Sequence, residues 1–140
     1  MIFLHGLGDS AEGFSDLFIN WNQYHLTPAT CRIVLPTAPR SPVSCNNGYV
    51  MNSWFDIFSL SGEVPETLAA IRKEYSQEQL MASANLVLKI VEEEKERFPD
   101  KDLSRIYIGG FSQGCMVSLA AFLMHQGPKQ LGGVVGLSGM

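Results

Sequence analysis

Apolar positions along the chain fall into short unbroken runs separated by longer stretches with helical spacing. Ile2-Phe3-Leu4-His5, Arg32-Ile33-Val34-Leu35, Ile106-Tyr107-Ile108-Gly109 and Val134-Val135-Gly136-Leu137 are runs of the first kind. They are too short for helices and rich in β-branched or aromatic residues, which predicts strands. Because apolar and polar residues do not alternate in them, the strands are expected to be buried on both faces, as in a parallel sheet. Phe14, Leu17, Phe18 and Trp21 share one helix face. Leu80, Ala84, Val87, Leu88 and Val91 share another, in a helix opened by the capping box Ser76-Gln77-Glu78-Gln79 and closed at about Phe98 by Pro99. Cys115 to His125 reads as an apolar helix, and Pro65 to Tyr75 as a shorter one with proline in its first turn. Pro36 to Ser53, with Pro36, Pro39, Pro42 and Gly48, is expected to be a long loop, and loops of that length inside a compact domain usually serve function. The resulting order alternates strand and helix, which predicts an α/β fold with a parallel sheet, helices on both faces and right-handed crossovers.

Composition narrows the classes without choosing among them. A chain of 140 residues suits one domain, and 46% hydrophobic with 17% charged residues suits a globular fold with a sizeable core. A net charge of −4 argues against nucleic-acid binding and against attraction to anionic lipid. The charge run Glu92 to Arg97 is mixed in sign and reads as a solvated helix face, with Glu93 and Arg97 spaced to pair. No apolar run approaches the ~18 residues of a membrane-spanning helix. Met1-Ile2-Phe3-Leu4 lacks the basic start of a secretion signal, and Ile2 stands where myristoylation needs glycine. Cys31, Cys45 and Cys115 are odd in number and lack metal-ligand spacing, so a reduced, cytoplasmic protein without a metal site is expected.

Candidate chemistry concentrates in Gly110-Phe111-Ser112-Gln113-Gly114. A G-x-S-x-G run between a strand and a helix is the pattern of a nucleophile elbow, in which a strained turn exposes the serine hydroxyl at the edge of the sheet. Ser112 is therefore the candidate nucleophile for acyl transfer. Such a site also needs an oxyanion hole, supplied by the amide after the nucleophile and one from the loop after an earlier strand. Gln113 provides the first, and Leu7 in Leu4-His5-Gly6-Leu7-Gly8-Asp9 the second. His5 precedes the serine, against the Ser, Asp/Glu, His order of this fold, and reads as a residue that shapes the loop. Asp9 reads as ordering the same loop, His25 as a solvated position in a helix end or turn, and His125 as the end of the elbow helix, remote from the serine. Trp54 and Phe55 are candidates either for walls of an acyl site or for the core.

Four stretches together resemble the acyl-protein thioesterase and lysophospholipase/carboxylesterase family of α/β-hydrolases. They are Leu4 to Asp9; Pro36-Thr37-Ala38-Pro39 with Pro42-Val43 and Asn47-Gly48; Met51 to Ile57; and Gly110 to Gly114 with Leu137-Ser138-Gly139 closing. The resemblance implies a serine hydrolase that cleaves thioester- or ester-linked fatty acyl groups from acylated proteins or lysophospholipids, with no metal or organic cofactor. Such substrates imply transient membrane contact without an integral segment. It matches Ser112 to the nucleophile, Leu7 and Gln113 to the oxyanion amides, and the Pro36–Ile57 region to the lining of the acyl tunnel. The chain departs from the family at Cys115, where glycine or alanine is usual. It also departs in lacking the triad Asp and His, which in the family follow the strand ending here near Ser138. The family has further strands before Met1. Residues 1–140 are thus expected to form a partial α/β-hydrolase domain, central strands only, with both sheet edges open. Without a base, turnover would fall by roughly 10⁶. Two other readings stay open: a non-catalytic remnant that binds acyl chains or proteins, and a carboxylesterase for small esters.

Overall fold

The computed structural model describes residues 1–23, 30–59, 67–125, 127 and 130–139. Along the chain run β1 (Ile2–Leu4), α1 (Ala11–Gln23), β2 (Arg40–Val43), β3 (Tyr49–Asn52), α2 (Leu68–Glu74), α3 (Gln77–Lys95), β4 (Tyr107–Phe111), α4 (Gln113–Met124) and β5 (Gly133–Leu137). The strands β1, β4 and β5 form a parallel sheet in the order β1-β4-β5. Leu4 lies opposite Gly110, and Phe111 opposite Leu137, so the carboxyl ends of all three strands gather around the elbow.

Alternation of side chains across the pleat assigns the two faces. Ile2, Leu4 and Ile108 point to one face, into a core with Ala84, Val87 and Val91 of α3 and Val117 and Ala121 of α4. Phe3 points to the other face and packs against Phe14 and Phe18 of α1, at ring separations of 5.5 and 5.3 Å. Helices thus cover both faces, as the sequence predicts. Each large apolar side chain buried this way stabilises the fold by about 1.5–3 kcal/mol. The side chain of Trp21, expected on the same stripe as Phe14, lies outside the described residues, as do His25 and Pro65.

Five expectations are corrected. Arg32–Leu35 is not a full strand: Val34 alone bridges to Ile2, its N–H donating to Met1 O and its carbonyl accepting from Phe3 N, both at 2.9 Å. Pro36 stops the ladder there, since it has no N–H to donate and restricts the residue before it. Pro36–Ser53 is not a plain loop. Within it β2 and β3 pair antiparallel, with Arg40 opposite Asn52 and Val43 opposite Tyr49. The turn closes through Asn47 and Gly48, at φ 55° and 74°. An Asn-Gly pair is suited to those left-handed conformations. Third, the capping box closes only by half. Ser76 Oγ accepts from Gln79 N at 3.3 Å. Gln79 does not reach back to Ser76, because its Oε1 accepts from Asp56 N at 2.7 Å. The side chain that would seal α3 instead fastens it to the segment after β3. The short helix α2 begins later than expected, capped by Thr67, whose hydroxyl accepts from Ala70 N at 3.1 Å.

At the far end of α3, the ion pair forms one residue from where spacing placed it. Glu94, rather than Glu93, takes Arg97 Nε at 2.9 Å and also Arg32 Nε at 2.9 Å. Glu94 is the more buried carboxylate of the two and lies within reach of both guanidinium groups, whereas Glu93 faces solvent.

Candidate functional site

Ser112 alone joins β4 to α4. Its φ of 51° and ψ of −116° lie in a region that side chains other than glycine rarely occupy. Such strain costs on the order of 1–3 kcal/mol and persists only when the surroundings enforce it. Here two absent side chains permit the turn. A Cβ on Gly110 would strike the backbone of Gly114, and one on Gly114 would strike the carbonyls of Leu4 and His5. The first turn of α4 therefore lies directly on the ends of β1 and β4. Ser112 N donates to Leu137 O at 2.8 Å, which fixes the turn from the β5 side. Cys115 follows one turn on, and it does not crowd the elbow. A Cβ on Gly136 or Gly139 would lie 2.6 or 2.5 Å from its Sγ, so the thiol fills space those glycines leave.

The loop after β1 is the second wall. A Cβ placed on Gly6 would sit 3.5 Å from Ser112 Cβ and 3.1 Å from the Phe111 ring, so backbone passes right beside the serine. Among the described residues, neither Leu7 N nor Gln113 N donates to a protein group. The Gln113 amide also lies at the positive end of α4, where developing negative charge is favoured. The loop is tied down beyond Leu7. Gly8 N donates to Asn52 O, and Asn52 Nδ2 donates to Asp9 O, both at 2.8 Å. Asp9 Oδ1 accepts from Ser10 N at 2.8 Å, over the start of α1, so its carboxylate orders the loop.

A third element connects these two, and no local pattern in the chain announces it. The Gln113 side chain is buried and reaches across to the residues after β3. Its Oε1 accepts from Trp54 N at 2.8 Å, and its Nε2 donates to Phe55 O at 2.6 Å and to Ser53 Oγ at 3.0 Å. The Trp54 carbonyl accepts from Ser83 Oγ of α3. The indole N–H of Trp54 donates to His5 O at 2.9 Å. Trp54 and Phe55, candidates for the acyl-site lining, are core residues here, 2% and 1% exposed. Their polar groups face the elbow and the loop, not a cleft.

The histidines divide clearly. Ala38 N donates to His5 Nε2 at 2.9 Å, so that nitrogen carries a lone pair. The ring proton is then on Nδ1, which donates to Gly6 O at 2.6 Å. Both nitrogens of this residue, 1% exposed, are used in holding the loop, which leaves none to accept a proton from Ser112. His125 caps the other end of α4, about 20 Å along the helix axis from the serine. Among the described residues no group of His, Cys, Asp and Glu is arranged to hold a metal ion.

Two clefts frame the site question. One of about 370 Å³, lined in part by Arg32, Glu94, Arg105 and Tyr107, opens at the amino ends of the strands, opposite Ser112. The other, a shallow groove of about 380 Å³, runs between Gly8 of the loop and Arg40, Tyr49, Val50, Met51 and Asn52 of the hairpin. The second is smaller than many ligand sites but in their range, and it adjoins the candidate oxyanion loop.

Comparison with known proteins matches this geometry. The family model for phospholipase/carboxylesterase covers residues 1–140. Acyl-protein thioesterase 1 of Schizosaccharomyces pombe is 40% identical over 140 residues, which are 99% of this chain and 54% of that protein. Acyl-protein thioesterase 1 homolog 1 of Dictyostelium discoideum is 38% identical over 99% of this chain and 56% of its own. Among solved structures, Arabidopsis thaliana SOBER1 superposes with a TM-score of 0.74 at 29% identity, over 95% of this chain and 57% of that one. Zea mays acyl-protein thioesterase 2 gives 0.61 at 29% identity, over 99% and 55%. The fold is that of an α/β-hydrolase. The chain spans about half the length of the curated relatives it matches.

Proposed function

The chain belongs to the phospholipase/carboxylesterase family, and from that premise we propose that it is the nucleophile-bearing part of a serine hydrolase for fatty-acyl thioesters or esters. Ser112 Oγ attacks the acyl carbonyl, and the carbonyl oxygen, now negative, lies between Leu7 N and Gln113 N. A general base takes the Ser112 proton and passes it to the departing thiol or alcohol as collapse leaves an acyl-Ser112 ester, which water then hydrolyses to the free fatty acid and the serine hydroxyl. Losing one of two such amides typically costs about 3 kcal/mol of barrier. The acyl group runs along the groove between Gly8 and the β2–β3 hairpin, where Tyr49 and Met51 offer surface. The base and its acidic partner come from the length of the relatives that this chain does not span. Acylated protein or lysophospholipid is the substrate, met in the cytoplasm during transient contact with a membrane. No helix among the described residues is long and apolar enough to cross one.

The observation that carries this reading is the strained Ser112, held between β4 and α4 beside two amides that, among the described residues, donate to no protein group. Hydrolysis of a palmitoyl thioester and labelling by an alkyl fluorophosphonate test it on the chain extended to family length. Ser112→Ala is expected to abolish both, and the 140-residue chain alone to turn over about 10⁶-fold more slowly. Labelling that persists in Ser112→Ala would overturn the assignment. Acyl-ligand binding without turnover in the extended chain would leave the non-catalytic remnant, and preference for acetyl over palmitoyl esters the small-ester carboxylesterase.

A further inference from the structure

We infer that Trp54 is a positioning residue that holds the two oxyanion amides in register, a role that rests on the hydrolase reading above. The argument is one of connectivity. An oxyanion hole built from Leu7 N and Gln113 N has its two donors on separate segments, the loop after β1 and the first turn of α4. Nothing in the chain's local order fixes one against the other. The residues after β3 do so through side chains. On one side, the carboxamide of Gln113 is clamped to Trp54 N and Phe55 O at 2.8 and 2.6 Å. On the other, the Trp54 indole N–H holds His5 O at 2.9 Å, in the residue that leads into Gly6 and Leu7. The His5 ring, 5.2 Å from the Trp54 ring, in turn holds Gly6 O and Ala38 N. Ser83 Oγ of α3 holds the Trp54 carbonyl, so the bridge is itself anchored to a long helix.

The indole N–H is the bridge's hydrogen bond to the near end of the loop, before Leu7; beyond Leu7 the loop is held separately, by Asn52 at Gly8 N and Asp9 O. Its removal leaves His5 O without that donor and lets the loop shift against the elbow. A displacement of about an ångström at reacting groups can cost on the order of 100-fold in rate. Ground-state contacts of the acyl chain, made along the hairpin groove, would change little, because Gly8 stays bonded to Asn52 of the hairpin. The effect therefore belongs to the transition state, in kcat and not in KM.

The test compares Trp54→Phe with the unaltered protein at family length. Phe keeps an aromatic ring against His5 and loses the N–H. Expected are a 10- to 100-fold fall in kcat for a palmitoyl thioester with KM within about twofold, and a similar loss of affinity for a long-chain trifluoromethyl ketone, whose Ser112 adduct carries an oxyanion. The ³¹P resonance of the phosphonylated Ser112 adduct, whose phosphoryl oxygen occupies the same hole, should shift. Should Trp54→Phe fail to fold, 3-benzothienylalanine at position 54 keeps the bicyclic shape and removes only the N–H. Unchanged kcat, ketone affinity and ³¹P resonance in a folded variant would overturn the positioning role. So would a rise in KM with kcat preserved. Failure of the unaltered protein to react with the fluorophosphonate would instead sink the hydrolase reading.

Discussion

Ser112 shows how a single residue can be held against its own preference. Its backbone conformation is one that glycine adopts freely. Replacing it with glycine should remove about 1–3 kcal/mol of strain, against about 1 kcal/mol of extra chain entropy lost on folding. Ser112→Gly is therefore expected to be as stable as the unaltered chain or about 1–2 kcal/mol more so, while losing all labelling. Urea denaturation measures the first and fluorophosphonate the second; a clear loss of stability would show that the turn is not strained. Gly114→Ala should do the opposite. Its methyl would meet the carbonyls of Leu4 and His5, backbone that cannot swing aside, and should cost about 3 kcal/mol or more. This part of the site was legible in the sequence because a one-residue turn between strand and helix demands glycines at fixed offsets. The clamp of Gln113 on Trp54 was not. Its partners are separated by 59 residues, and the Trp54 to His5 bond spans 49. Neither has a local pattern, and a Trp among apolar neighbours reads equally well as core. The same limit applied to His5. Its place in the chain argued against a base, but only its two partners, Gly6 O and Ala38 N, show how both ring nitrogens are spent.

Elements whose apolar stripe is long were read correctly. In α3 the buried Ala84, Val87 and Val91 repeat at helical spacing, and Leu80 and Leu88 pack beside them. Elements defined by pairing were read less well, because a ladder is a relation between segments. The β2–β3 hairpin was hidden by Pro42 and by polar Arg40 and Ser41, which break the alternation expected of a strand. Its one local signal was Asn47-Gly48, the dipeptide best suited to a turn with two positive φ angles. That pair gives a prediction at this scale. Gly48 sits at φ 74°, with open space around a would-be Cβ. Gly48→Ala meets no clash there, and its cost, about 1 kcal/mol, is purely conformational. Since Tyr49 and Met51 border the groove, the variant should also raise KM for palmitoyl esters more than for acetyl esters. A chain as stable as the original, with unaltered chain-length preference, would show that the hairpin neither depends on this turn nor shapes the groove. Ser76→Ala, which removes the half of the capping box that does form, should cost about 1 kcal/mol by itself.

At the scale of the molecule, the sheet is well covered around β1 and bare at β5. Among the described residues β5 pairs with β4 alone. Register and pleat place Val134 and Gly136 toward α4, where Gly136 meets Cys115, and Val135 and Leu137 toward the other face. Those two are 42% and 40% exposed, since α1 shields Phe3 but does not extend that far. On the near side, Leu119 and Leu123 of α4 lie one turn apart and are 42% and 78% exposed. An unpaired parallel edge flanked by apolar side chains on both faces is a template for another chain. The 140-residue chain should accordingly self-associate as its concentration rises through the micromolar range, with sedimentation velocity reporting the larger species. Leu123→Lys with Val135→Lys places charge on both sides of the edge and should restore a monomer. Extension to the length of the relatives should do so without any substitution, if the added chain packs on β5. A monomer at all concentrations in the unaltered 140-residue chain would mean that this edge is protected by some other contact. Association that persists in the double variant would locate the sticky surface elsewhere.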